Sequence, residues 1–256
     1  MRSLLLRLVV IAVVSLGLSA CVRAPRFTPG AALAPDDSQA LCSALNASRE
    51  HLLSFRTMLD ATVEGTGGDS VSFRYAIVGK SNEKLRIDIL PHEGAYTLAL
   101  ITVQGNKALF LDPQAKRVIE GCSVKEVLEK FLGLQGMTPA AVQALVLGRP
   151  PVLECGRIAA HRPAEGGVVF VDLVEQVAWE VDEGAGTLRK AHFLDSQGAT
   201  VTAVAVREEA GMIVVSVYKP VGATAEMRIV KLIKNPDVAD STFDVAVPSV
   251  YEREGC

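Results

Sequence analysis

The chain has 256 residues, 49% apolar and 21% charged, so it can bury a substantial core and is not built to stay disordered. A formal charge of −3 excludes the basic footprint of a nucleic-acid binder, and 5% aromatics are too few for base-stacking platforms or a ring-lined sugar groove. No run of about 20 apolar residues is present to cross a bilayer as a helix.

The chain opens on a basic stretch holding Arg2 and Arg7, followed by an apolar core from Leu8 to Leu18 broken only by Ser15 and Gly17. That pattern predicts a secretory signal over residues 1–20. Leu18-Ser19-Ala20-Cys21 resembles the bacterial lipobox, which implies cleavage before Cys21, a diacylglycerol anchor on its thiol and an acyl chain such as palmitate on the new amine. The alternative is an ordinary signal peptidase site near Ala20. Removing the signal leaves 24 basic residues against 29 acidic, a net charge of −5. Acyl chains anchor firmly, because each buried methylene contributes about 0.8 kcal/mol. Val22, rather than Asp, follows Cys21, which points to the outer membrane and its periplasmic face. Residues 21–37 then read as the lipidated cysteine and a flexible tether carrying Pro25, Pro29 and Pro35.

The domain proper is expected over 38–250, with 251–256 as a tail. Ser38 to Met58 shows Leu41, Leu45, Leu52 and Phe55 at helical spacing, capped by Asp37 or Ser38. From Leu59 the period changes to two, and six short strands with tight turns follow as far as Ile119. Ser123–Leu134 and Thr138–Leu147 predict two helices, the second opened by Pro139 and ended by Gly148. A second meander runs from Val168 to Ile233, and Phe243–Val247 reads as a closing strand. About eleven strands in one antiparallel run cannot stay flat. The expected class is α+β, a curved antiparallel half-barrel with helices on its concave side.

Four cysteines remain besides Cys21, an even number suited to an oxidising compartment. Cys122 and Cys155 bracket the helical insert and are the first expected pair, which leaves Cys42 with Cys256; four free thiols are the alternative. No CxxC spacing points to zinc or redox chemistry.

No catalytic constellation emerges, and no cofactor or metal is called for. His51, His92, His161 and His192 lie in separate elements, and HExxH, GxSxG and P-loop patterns are missing. Ser81-Asn82-Glu83-Lys84 fits SxxK but falls in an expected β-turn, and Gly65-Thr66-Gly67-Gly68 lies between strands rather than before a helix. Asp36-Asp37 and Glu208-Glu209 read as solvated pairs, and His92-Glu93 as a loop tip.

Helix, meander, helical insert and second meander behind a lipobox resemble the LolA/LolB lipoprotein-carrier superfamily over Leu41 to Pro248. The residues that carry the likeness are the strand Lys84–Pro91, Thr102–Asn106 followed by Leu111-Asp112-Pro113, the helix end Ala144–Gly148, and Phe243–Pro248. The resemblance implies an incomplete barrel closed by helices, with an apolar cavity that accepts acyl chains of lipids or lipoproteins without catalysis. A periplasmic LolA-like carrier is the partner it implies, for a monomer anchored in the outer membrane. Inward alternants Leu59, Val63, Phe73, Tyr75, Ile77, Leu85, Ile87, Ile89 and Trp179, with lid residues Val127, Phe131 and Leu145, are the expected cavity lining. The same stripe would also make an ordinary filled core, and an envelope scaffold lipoprotein is then the alternative function; a hydrolase is a third. Pro91-His92-Glu93-Gly94-Ala95 departs from LolB-type receptors, whose corresponding loop exposes an apolar residue.

Overall fold

Alternation of apolar and polar residues carries most of the chain into a single sheet. The computed structural model describes residues 26–48, 52–65, 68–81, 83–94, 96–132, 136–218 and 224–256. The expected signal segment and Cys21 therefore lie outside the described residues. A short strand β1 (Ala31–Ala32) and helix α1 (Pro35–Ala47) precede the first meander. Its strands are β2 (Ser54–Glu64), β3 (Ser70–Lys80), β4 (Lys84–Pro91), β5 (Ala99–Gln104), β6 (Lys107–Asp112) and β7 (Arg117–Glu120). Helices α2 (Val124–Leu132) and α3 (Pro139–Leu147) follow. The second meander comprises β8 (Ile158–Arg162), β9 (Val168–Asp172), β10 (Val177–Val181), β11 (Leu188–Leu194), β12 (Thr200–Glu209), β13 (Met212–Tyr218) and β14 (Thr224–Lys234), and β15 (Glu252–Glu254) lies near the C-terminus.

All of these strands form one curved, unclosed 15-stranded sheet in the order β1-β8-β9-β10-β11-β12-β13-β14-β2-β3-β4-β5-β6-β7-β15. The two meanders meet at its centre, where β14 runs antiparallel to β2 from Thr224 opposite Glu64 to Lys234 opposite Phe55. A bulge at Val230 leaves that residue exposed and returns Leu232 to the inner face. β15 is parallel to β7, whereas the other pairs are antiparallel. So long a run must curl, and the three helices cover the inner side of the curve. On that side Leu59, Ile77, Ile87, Ile101, Phe110 and Val215 join α2 and α3 residues in one buried cluster. The outer side carries ion pairs such as Arg74–Asp60 and Arg86–Asp88, both 2.8 Å. This polar-out, apolar-in division is what period-two sequences dictate when one face is covered.

Both insert helices have the caps their sequences promise. Ser123 Oγ accepts from Glu126 N (3.2 Å) and Glu126 Oε2 accepts from Ser123 N (2.9 Å), a reciprocal capping box. Thr138 Oγ1 accepts from Ala141 N, and Gly148 ends α3 at φ 61°, a left-handed conformation that favours glycine.

Several expectations are corrected. The first helix stops at Ala47, and Ser54 to Met58 already belong to β2, because Phe55, Thr57 and Leu59 alternate onto the inner face. Helix α1 also starts earlier, at Pro35; Ser38 is one turn inside it, buried, with its Oγ accepting from Ala160 N of β8. The residues expected as a free tether lie on the sheet from Arg26 onward. Arg26 bridges to Ala199, Phe27 N donates to Gly198 O (3.1 Å), Phe27 packs over Val169, Val171 and Ala178 on the outer face, and β1 pairs with β8 to form the edge. At the other edge Phe243–Val247 is not a strand. It crosses the outer face of β5–β7, where Val245, Val247 and Tyr251 cover Leu100, Leu111 and Val118. The expected tail supplies β15 instead.

The disulfides are Cys42–Cys155 and Cys122–Cys256, not Cys122–Cys155 and Cys42–Cys256. The helical insert does not fold back between adjacent strands. It carries the chain from β7 at one edge to β8 at the other, so Cys122 and Cys155 end up on opposite sides of the sheet. Each bridge fastens a terminal segment to the nearer edge.

Two features of this packing have measurable consequences. Gly79 faces Phe55 across the β2–β3 ladder, and the ring occupies the space that a Cβ would need. Gly79→Ala is expected to cost about 1–3 kcal/mol in urea unfolding through overpacking, although Gly79 has no unusual φ. His192 packs against Phe27 with rings tilted by 35° and centroids 4.4 Å apart, and burial, aided by nearby Lys190, pushes its pKa down to about 4. The unfolded chain therefore binds a proton below about pH 6.5 that the fold resists, and stability falls as pH drops from about 6.5 to about 4. At about 1.4 kcal/mol per pH unit the loss reaches about 3 kcal/mol. His192→Phe is expected to flatten that slope in urea midpoints measured between pH 7 and pH 4.

Candidate functional site

Under α3, at the junction of the two meanders, the inner face does not fill itself completely. A cavity of about 90 Å³ lies between β2, β3 and β4 on one side, β13 and β14 on the other, and the helix above. Leu59, Ala61 and Val63 come from β2, Tyr75 and Ile77 from β3, and Ile87 from β4. The second meander contributes Val215, Val217, Ala225, Met227 and Ile229, and the lid contributes Met137, Val142, Leu145 and Val146. The phenol of Tyr75 is the one polar side-chain group among these residues, and burial raises its pKa. The wall is otherwise hydrocarbon and thioether, which suits an aliphatic ligand and offers no group for acid–base chemistry.

Coverage fades in one direction along the strands. On β3, Ile77 is buried, Tyr75 and Phe73 are half-buried and Val71 is 52% exposed. On β4, Leu85 and Ile87 are buried and Ile89 is half-buried; on β2, Leu59 and Ala61 are buried and Val63 is half-buried. Register places Val63, Val71, Ile89 and Ala225 toward the same rim of the sheet. The cavity is thus sealed toward the Phe55 end and thinly covered toward the Val63 end.

Of the residues expected to line a cavity, Leu59, Val63, Tyr75, Ile77, Ile87 and Leu145 meet around this void. The other six lie elsewhere. Phe73 and Ile89 flank the void toward the open rim. Leu85 and Val127 are fully buried in the core beside it, and Phe131 stacks on Phe110 with centroids 3.6 Å apart. Trp179 sits in the second meander, edge-on to Phe193 at 6.2 Å. Ala61 was readable from the alternation of β2, and Val215, Val217, Ala225 and Met227 from that of β13 and β14. What sequence reasoning missed was that β14 lies beside β2.

Other hollows among the described residues are surface grooves with mixed walls. One, of about 750 Å³, runs between β5–β6 and the C-terminal crossing segment and is rimmed by Gln104, Asn106, Lys107 and Asp244. Motifs set aside in the sequence stay apart in space. Ser81 sits in the β3–β4 turn at φ 54°, and Lys84 pairs with Asp240 at 3.0 Å. His51 lies outside the described residues, His92 is exposed in a loop, and His161 Nδ1 lies 3.4 Å from Gly30 O. Among the described residues no three His, Cys, Asp or Glu side chains are grouped to hold a metal, and no helix is long and apolar enough to cross a membrane.

No protein-family model matches the sequence, and no curated protein matches it in sequence. Solved structures do match. A LolA superfamily protein from Nitrosomonas europaea superposes with a TM-score of 0.56 at 13% identity, covering 81% of this chain and 97% of its own. A DUF1329 family protein from Desulfovibrio piger gives a TM-score of 0.58 at 10% identity, over 82% of this chain and 96% of its own. A domain described as an outer membrane lipoprotein-sorting protein, from Vibrio parahaemolyticus, gives 0.56 at 11% identity, over 82% and 97%. At such low identity the likeness is one of architecture: a curved, unclosed sheet holding three helices on its inner face is the LolA-like fold, and this chain adopts it.

Proposed function

We propose that the protein is a lipid-anchored carrier of the bacterial envelope that holds acyl chains of lipids or lipoproteins beneath α3 and passes them on without chemistry. The observation that carries this reading is the void itself, walled by aliphatic side chains and thinly covered at one rim. Transfer of a hydrocarbon tail from bilayer to such a wall is nearly neutral, while exposure to water costs about 0.8 kcal/mol per methylene. A carrier therefore needs only a dry path and small affinity differences. Ligand pockets are typically about 300–1,000 Å³. At about 90 Å³ the void admits the end of a chain, so a full tail requires α3 and the unbranched Met137 and Met227 to give way. The likeness of fold to a lipoprotein-sorting domain supports the same reading. Cleavage after residue 20, acylation of Cys21, residence on the periplasmic face of the outer membrane and exchange with a LolA-like periplasmic carrier complete the proposal.

The small void also favours a second reading, an envelope scaffold with a filled core. Native mass spectrometry of the full lipoprotein, gently extracted, separates the two, together with uptake of a fluorescent long-chain acyl probe. The carrier is expected to retain lipid and to bind the probe saturably. Neither retained lipid nor probe uptake leaves the scaffold.

A further inference from the structure

The rim at which the cavity is thinly covered is also where the first described residue, Arg26, lies. Arg26 bridges to Ala199 in the β11–β12 turn. The β9–β10 turn is its neighbour on that rim, since Leu194 N donates to Gln176 O at 2.8 Å. In this second turn Leu173 and Val174 are 75% and 69% exposed. Val71, Tyr96, Tyr218 and Val250, each about half exposed or more, lie on the same rim.

We propose that this rim is a membrane-contact surface, with Leu173 and Val174 entering the interface of a phospholipid bilayer and the cavity mouth held against the lipid. The inference rests on the reading of Cys21 as the lipidated residue. Four residues separate Cys21 from Arg26, a span of at most about 18 Å when fully extended. Strands about 4.8 Å apart put the β9–β10 turn within the same reach. The opposite rim, which carries Leu53, Met212 and Ile233, is removed by the length of β2, eleven residues, or about 35 Å. An anchor on so short a leash presents one rim to the membrane and keeps the other away. Charge next to the tip is also compensated, because Arg157 pairs with Asp172 at 3.1 Å and with Glu175 at 3.4 Å. Two bare aliphatic side chains at the tethered end thus meet lipid without carrying unpaired carboxylates from these two positions with them.

The test uses the full lipoprotein in vesicles of phosphatidylethanolamine and phosphatidylglycerol containing lipid brominated along its acyl chains. Bromine quenches tryptophan at short range, and Trp179, 3% exposed on the inner side, is a constant background. Val174→Trp is expected to lose at least half of its added emission, while Leu53→Trp on the far rim keeps its own. Wild-type protein that does not float with the vesicles overturns the anchoring and this orientation with it. Protein that floats with Val174→Trp unquenched overturns the orientation alone and leaves the rim to a protein partner. Equal quenching at both positions overturns it as well.

Discussion

Replacing Cys42 and Cys155 together with alanine is expected to lower stability by about 5 kcal/mol. The bridge closes a loop of 113 residues, and the chain-entropy model assigns about 4–5 kcal/mol to a closure of that length. Native contacts at the same place act with it: Asn46 Nδ2 donates to Leu153 O (2.8 Å), and Leu153 N donates to Asn46 Oδ1 (3.1 Å). These amide bonds hold α1 to the segment before β8 and lose their registration once α1 can swing. Urea denaturation of the double variant against wild type, each with Cys122–Cys256 intact, measures the effect; an unchanged midpoint would show that the edge holds without its bridge.

Filling the cavity and enlarging it are expected to move ligand binding in opposite directions. Ala61 is 3% exposed and lines the void from β2. Ala61→Phe introduces a ring where the void stands, so stability is expected to change by less than about 1.5 kcal/mol, whereas acyl-probe affinity is expected to fall at least tenfold, about 1.4 kcal/mol. Leu145→Ala removes the lid side chain above the same space and is expected to cost about 2–5 kcal/mol, while probe uptake increases. Probe titration and urea unfolding on both variants check the pair. A filled core predicts overpacking by Ala61→Phe, at about 1–3 kcal/mol or more, and no probe binding for either variant to alter; equal probe binding by wild type and both variants would place the ligand elsewhere.

Much of the fold was legible because its signals are local. Lys84–Ile89 alternates strictly, Ser123 caps a helix, and Thr138-Pro139 opens a helix that Gly148 closes; each was read from its neighbours alone. Errors arose where a distant element decides. Leu52 and Phe55 are spaced as on a helix face, but Phe55 belongs to β2, where β14 and β3 pair on either side. Between Arg26 and Pro35 the chain includes a short extended strand, β1. What sequence does not disclose is that β8 and the β11–β12 turn hold that extended chain in place. Cysteine pairing failed for the same reason, since it depends on which edge of the sheet each thiol reaches. The cavity was half legible: alternation identifies the inward side chains, but which of them surround a void depends on β14 meeting β2.

That central seam dictates an order of assembly. β2 and β14 stand near opposite extremes of the domain, with Phe55 opposite Lys234, so their ladder is among the longest-range pairings in the chain. Each meander can zip up from its own hairpins, but joining them must await nearly the entire polypeptide, a slow search by contact-order reasoning. Until then β2 offers eleven residues of unpaired backbone along one side, a ready template for β-addition by another molecule. A newly made chain therefore passes through a sticky, half-zipped stage, during which a holdase that shields this strand would raise the yield of folded protein.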